Sequence, residues 1–212
     1  MEAEPETRLR ADARRNREQI VAAAKQVFLE SGPDVPMEEI ARRAEVGVGT
    51  LYRRFPDRGE LIRAVARDNF ATVLAEATAA ATEEPNAWAA IVRLLSRSRE
   101  LRLSLRLALM SPMARAIVSG DPKTVEFRAE MMRVLDLLVT KAQAEGVLRK
   151  DVGSGDLAVM CRLTLERLPL DLEVSDDVIL DRVIGVMLDG LRAQPGSPLP
   201  GRPLTSDDLS AR

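Results

Sequence analysis

MEEIARRAEVGVGTLYRRFPDRGELI, residues 37–62, carries two runs of apolar residues at helical spacing with a short break between them. Met37, Ile40, Ala41 and Ala44 recur every three or four positions. Glu45-Val46-Gly47 interrupts, and Val48, Leu51 and Phe55 resume the pattern until Pro56 forbids its continuation. The spacing predicts two short helices joined by a tight turn, the outline of a helix-turn-helix.

An α-helix turns about 100° per residue, so the second run can be laid out around its axis. With Leu51 at zero, Phe55 lies at roughly 40° and Val48 at roughly 60°, while Gly49, Arg53 and Thr50 lie at roughly 160°, 200° and 260°. The first group is expected inside and the second outside. Arg53 is the candidate for a base contact, because its guanidinium fork matches the O6 and N7 acceptors of guanine; Thr50 offers a hydroxyl and a methyl. Tyr52 and Arg54 flank these two within reach of phosphates, and Gly49 has no side chain to hold the helix off a groove. The competing account from periodicity alone is a solvated, charged face on an ordinary short helix.

The run from Ile40 to Ile62, IARRAEVGVGTLYRRFPDRGELI, resembles the DNA-binding segment of the tetracycline-repressor (TetR-like) family of bacterial transcriptional regulators. The resemblance rests on Ile40-Ala41, the turn at Val46, Gly49-Thr50-Leu51-Tyr52, Phe55 and the basic Arg58 opening the next helix. It covers the chain from about Arg17 to Phe70. It implies that Thr50, Tyr52 and Arg53 contact DNA, that Arg58 reaches a phosphate, that two copies join through two C-terminal helices, and that a small apolar effector is held among the later helices. Gly47 stands where the family often has serine, and Val35-Pro36 where a threonine often begins the second helix, so Asp34 is expected to take over capping.

A formal net charge of -2 over 212 residues looks wrong for a DNA-binding protein until its distribution is read. RLRADARRNR, residues 8–17, sets five arginines against Asp12. A flexible basic arm over residues 1–12 is expected, then a first helix from about Ala13 to Glu30, with Arg14 and Arg17 along phosphates or in a minor groove. For Arg8 and Arg10 a frayed, solvated terminus accounts for the pattern equally well. The composition, 46% hydrophobic and 30% charged, suits a folded protein; no stretch is apolar enough for a membrane span and no hydrophobic leader opens the chain, so a cytoplasmic location is expected.

With no histidine and one cysteine, Cys161, the chain has no means for His-based catalysis or for a Cys-rich or His-containing zinc site. It also lacks a phosphate-binding glycine motif and a nucleophile elbow, so no enzymatic activity, cofactor or metal is expected. Cys161 lies in an apolar helical pattern and reads as a packed thiol.

Glycine and proline punctuate the rest into helices, with no strand pattern. After a fourth helix from Arg58 to about Thr82, residues 86–110, 112–118, 122–145, 155–168 and 175–191 each read as helical, with Asp121 and Ser175 as caps. The expected fold is all-α with about nine helices. An N-terminal three-helix helix-turn-helix DNA-binding domain over 13–60 precedes a larger helical ligand-binding and dimerisation domain over 61–193. Residues 194–212, rich in proline, glycine and serine, are expected to lack fixed structure.

Leu157, Met160 and Thr164 lie on one late apolar stripe, and Val178, Ile179, Val183, Val186, Met187 and Gly190 on another. Each stripe suits its own core, or a four-helix interface in a homodimer as the resemblance implies. An effector pocket falls among Trp88, Leu103, Arg106, Leu107, Met110, Phe127, Met131 and Leu135, a set that core packing explains as well. These readings converge on a regulator of transcription that binds double-stranded DNA, a repressor released from a palindromic operator by a small effector. The competing account is a helical ligand-carrier or enzyme with an incidental charged hairpin.

Overall fold

A computed structural model describes residues 3–96, 111–165, 176–193 and 197–210, and among these every regular element is a helix. In chain order they are α1 (Ala3–Ser31), α2 (Met37–Arg43), α3 (Val48–Arg54), α4 (Arg58–Glu83), α5 (Ala87–Ser96), α6 (Pro112–Ser119), α7 (Pro122–Ala144), α8 (Ser154–Leu165), α9 (Asp176–Leu191) and α10 (Ser206–Ser210). None of them is long and apolar enough to cross a membrane. The described chain divides into two compact units: residues 3–69 with 111–124, and residues 70–96 with 125–165, 176–193 and 197–210.

In the first unit Ile20, Ala24, Val27 and Phe28 of α1 close over Ile40 and Ala41 of α2, Leu51 of α3, Phe55, and Leu61, Ile62 and Val65 of α4, all of them buried. Burying each large side chain contributes about 1.5–3 kcal/mol, and this tertiary packing holds two short helices that would be marginal alone. Val48 departs from the expected stripe and is 40% exposed. It is the first residue of α3, and a helical side chain leans toward the N-terminus, so here it overhangs the helix end instead of covering a turn.

The turn between α2 and α3 is a Schellman closure. The Val46 N–H donates to the Ala41 carbonyl at 3.0 Å and the Glu45 N–H to that of Arg42 at 3.2 Å, with Glu45 in the left-handed region at φ 53°. Asp34 does not cap α2. Pro36 occupies the N-cap and no side chain bonds there, since a capping oxygen must come from the residue that directly precedes the helix. Gly47 likewise caps α3 without a side chain.

Helix α1 begins at Ala3, so residues 3–12 continue the first helix where a flexible arm was expected. Pro5 falls in the first turn, where its missing N–H costs nothing, and the alanines, arginines and Leu9 that follow are strong helix formers. Asp121 does cap α7. Its Oδ2 accepts the Thr124 N–H at 3.0 Å and hydroxyl at 2.9 Å, and Arg67 of α4 adds its Nε at 3.0 Å. The Arg67 guanidinium and the Thr124 donors outweigh burial and hold this carboxyl at about 2.

The second unit buries Ala90, Ile91 and Leu95 of α5, Leu138 and Ala142 of α7, Leu148, Leu157 of α8, and Leu180, Ile184 and Leu191 of α9. Leu157 therefore belongs to the core, 1% exposed, and not to an outer stripe. It lies one helical step from Cys161, which packs on this core together with Met160, whereas Leu163 turns outward. Burial pushes the Cys161 thiol up to about 12. The Ser175 cap and residues 97–110 of the predicted 86–110 helix lie outside the described residues.

Over residues 197–210 the loose tail expected from composition is replaced by an ordered strap. The Leu204 carbonyl accepts from the Gly155 N–H and the Leu204 N–H donates to Asp156 Oδ2, both at 3.0 Å. The Leu199 N–H reaches Asp151 Oδ2 and Arg149 Nη2 reaches the Ser197 carbonyl, again at 3.0 Å each. These acceptors lie far away in sequence, and composition cannot see them.

Candidate nucleic-acid interface

The Schellman turn aims α3, and Leu51 and Phe55 fix its rotation by burying one edge. The opposite edge is left to solvent: Gly49, Arg53 and Arg54 are exposed, Tyr52 is 41% exposed and Thr50 is half-buried. A side chain built at Gly49 would meet nothing within 4 Å, so the helix surface is flat there. Arg53 Nη2 donates to Thr50 Oγ1 at 3.1 Å, which lays the guanidinium along the outer face one turn back. Tyr52 Oη stands 3.5 Å from Glu38 Oε1 on α2, at the limit of a hydrogen bond. Arg53 and Arg54 occupy the last turn of α3 and its first turn has no acid.

Around α3 the charge is sorted. Arg42 forks onto Glu39 at 2.6 and 2.9 Å, and that hydrogen-bonded guanidinium holds the Glu39 carboxyl below its usual range. Arg43 reaches Glu30 of α1 at 2.7 Å. Arg17 lies with its guanidinium carbon 5.4 Å from the centre of the Phe55 ring, which places this part of α1 beside the C-terminal end of α3. Arg14 is exposed and meets Glu18 at 3.6 Å.

Arg58 is placed differently from what the resemblance implied. Its Nη1 donates to the Pro33 carbonyl at 2.7 Å and to that of Val35, tying the α1–α2 loop to the start of α4. Any phosphate contact falls to its other nitrogens. Sequence reasoning missed this strut, because backbone carbonyls have no signature; the glycine-proline break at Gly32-Pro33 marks only the loop, not its partner.

The other predicted sites separate. On α9, Val178 is 49%, Val183 41% and Val186 73% exposed, with Ile179 and Met187 half-buried and Gly190 exposed, so this stripe does not face its own core. Met160 is half-buried; the Thr164 side chain lies outside the described residues. Of the pocket set, Leu103, Arg106, Leu107 and Met110 lie outside them as well. Trp88 packs on the second core beneath Arg192, 4.8 Å from its ring centre, and Phe127, Met131 and Leu135 are half-buried on α7. Two clefts of about 420 and 450 Å³ are lined by other residues.

With this geometry in place, comparison with known proteins identifies relatives. A family model described as bacterial regulatory proteins, tetR family, matches residues 20–65. A solved TetR transcriptional regulator from Streptomyces coelicolor, SCO0520, is 32% identical, with a TM-score of 0.64 covering 83% of this chain and 98% of that one. A solved TetR regulatory protein from Mycobacterium vanbaalenii is also 32% identical, covering 87% of this chain and 99% of its own at a TM-score of 0.52. An HTH-type transcriptional regulator of Staphylococcus aureus is 41% identical over 54 residues, 25% of this chain and only 29% of that protein's length.

Proposed function

The chain belongs to the TetR family of bacterial regulatory proteins, and from that premise we propose that it is a dimeric repressor, released from a palindromic operator by a small-molecule effector. The observation that carries the DNA-binding part is the outer edge of α3, where Gly49 and Arg53 are exposed and Thr50 is half-buried, while Leu51 and Phe55 are buried beneath them. In this reading Arg53 reads a guanine, Thr50 a neighbouring base, and Val48 touches a methyl or sugar. Tyr52, Arg54, Arg14, Arg17 and the free side of Arg58 hold phosphates.

Two copies are needed because one short helix contacts few base pairs, and a two-fold pair reads a palindrome. The α9 stripe supports this. With Val186 at zero, Ile179, Gly190, Val183 and Met187 fall between roughly 20° and 100°, beside the buried arc of Leu180, Ile184 and Leu191, while Arg182 and Asp189 share the far edge at roughly -40° and -60°. Opposite charges seven residues apart on one edge are self-complementary: two α9 helices running antiparallel set each Arg182 against the other's Asp189.

An effector would act by preferring one arrangement of α4, which contributes to both units, and would lower DNA affinity only as far as that preference goes. Its place in this reading is among Trp88, Phe127, Met131 and Leu135 with Leu103, Arg106, Leu107 and Met110. A cytoplasmic location goes with the same reading. Selection of bound duplexes from a random pool tests the whole: a two-fold symmetric site with salt-sensitive binding is expected. Absence of salt-sensitive duplex binding, or turnover of a substrate, would transfer support to a ligand-carrier or enzyme.

A further inference from the structure

The strap over residues 197–210 is built into the second unit by more than chance contact. Asp156 receives two backbone N–H groups, that of Gly153 at 2.8 Å and that of Leu204 at 3.0 Å. Asp151 takes the Arg149 fork and the Leu199 N–H. Arg149 in turn donates to the Gly190 carbonyl at 3.2 Å, joining the end of α9 to the same knot. A Cβ on Gly155 would lie 2.7 Å from both the Leu204 carbonyl carbon and the Thr205 oxygen, and one on Gly153 would strike the Leu204 oxygen, so the strap's path exists only because these two positions lack side chains. The strap then closes on itself through the Arg202–Asp208 fork and a Thr205–Asp208 cap on α10.

What the strap encloses is the end of the exposed apolar stripe. The 420 Å³ cleft is walled by Leu199 of the strap on one side and by Val159, Met160, Val186 and Met187 of α8 and α9 on the other. Leu199 is itself 44% exposed. The apolar surface is therefore continuous from the stripe onto the strap, and its charged flank, Arg182 and Asp189, is complementary to its own copy. We propose that the strap is the rim of the self-association surface, and that the cleft receives an apolar side chain from a second copy of this chain. This rests on the dimer reading above.

The test is sedimentation equilibrium of three full-length or shortened chains: wild type, a chain ending at Ala193, and Gly155→Ala, which displaces the strap while leaving every stripe residue in place and favouring the α8 helix. Wild type should be a dimer, and both variants should raise the dimer dissociation constant tenfold or more with unchanged helical circular dichroism. Faster proteolysis within 197–210 should mark release of the strap in Gly155→Ala. A monomeric wild type would remove the dimer reading itself. A dimeric wild type with both variants equally tight would overturn the strap proposal alone, and so would uptake of the apolar dye anilinonaphthalene sulfonate by the wild-type dimer but not by the shortened chain, which would make the cleft a small-molecule site.

Discussion

The α3 part of the first unit and the α8–α9 part of the second unit leave opposite kinds of residue in solvent. Around α3 the apolar side chains close almost completely inward, and arginines, a threonine and a tyrosine face out, with Val48 the exception. Along α9 the buried arc is equally complete, yet Val178, Val183 and Val186 remain outside, and Leu163 on α8 is 61% exposed. A hydrated anion such as a phosphate backbone suits the first surface; only another apolar surface suits the second. What a helix keeps out of its own core is thus as informative about partners as what it buries.

The largest effect should come from giving the second surface the character of the first. Val183→Glu together with Met187→Glu would bury unpaired carboxylates in any dimer, a cost of several kcal/mol, so sedimentation should find monomers and palindrome binding should collapse. A tight, well-folded dimer would place the interface elsewhere. Next, Arg53→Ala should weaken binding to the selected site by about 1–3 kcal/mol and leave random duplex nearly unaffected, whereas Tyr52→Phe should weaken both. Equal losses on both duplexes for Arg53→Ala would make Arg53 a phosphate contact instead.

A smaller effect tests the ion pair that α4 makes inside the first unit. Asp121 titrates at about 2 when folded against 3.8 as a free group, so its stabilisation is complete above about pH 4 and is lost as pH falls through 2. Asp121→Asn should cost about 1–2 kcal/mol at neutral pH and flatten the acid limb of a thermal-stability profile. An unchanged acid limb would show that the clasp does not set it. Smallest of all, Glu45→Gly should raise thermal stability by about 0.5–1 kcal/mol, since glycine adopts the left-handed turn without a Cβ clash. A loss of stability there would mean that the Glu45 side chain makes a contact that matters.

Much of the first unit was legible because periodicity and breakers act over a few residues. Leu51, Phe55, the turn at Glu45-Val46-Gly47 and the Asp121 cap all follow from local spacing and side-chain chemistry. What escaped was set by distant backbone: the carbonyls of Pro33 and Val35 that hold Arg58, and the Asp151 and Asp156 carboxylates that order the strap. Val48 and Leu157 escaped for a different reason. An apolar residue at a helical position does not say whether its neighbours lie inside or beyond the chain's own core, and a first-turn position changes which surface it covers.

The raised Cys161 thiol carries a practical meaning. With burial pushing it up to about 12, the thiol stays almost wholly protonated at neutral pH, and the thiolate is the species that peroxides and alkylating reagents attack. The chain also has no histidine to change charge between about pH 5 and 8. Folded, Cys161 should therefore react slowly with alkylating reagents, and no imidazole alters the charge pattern as pH falls from about 8 to 5.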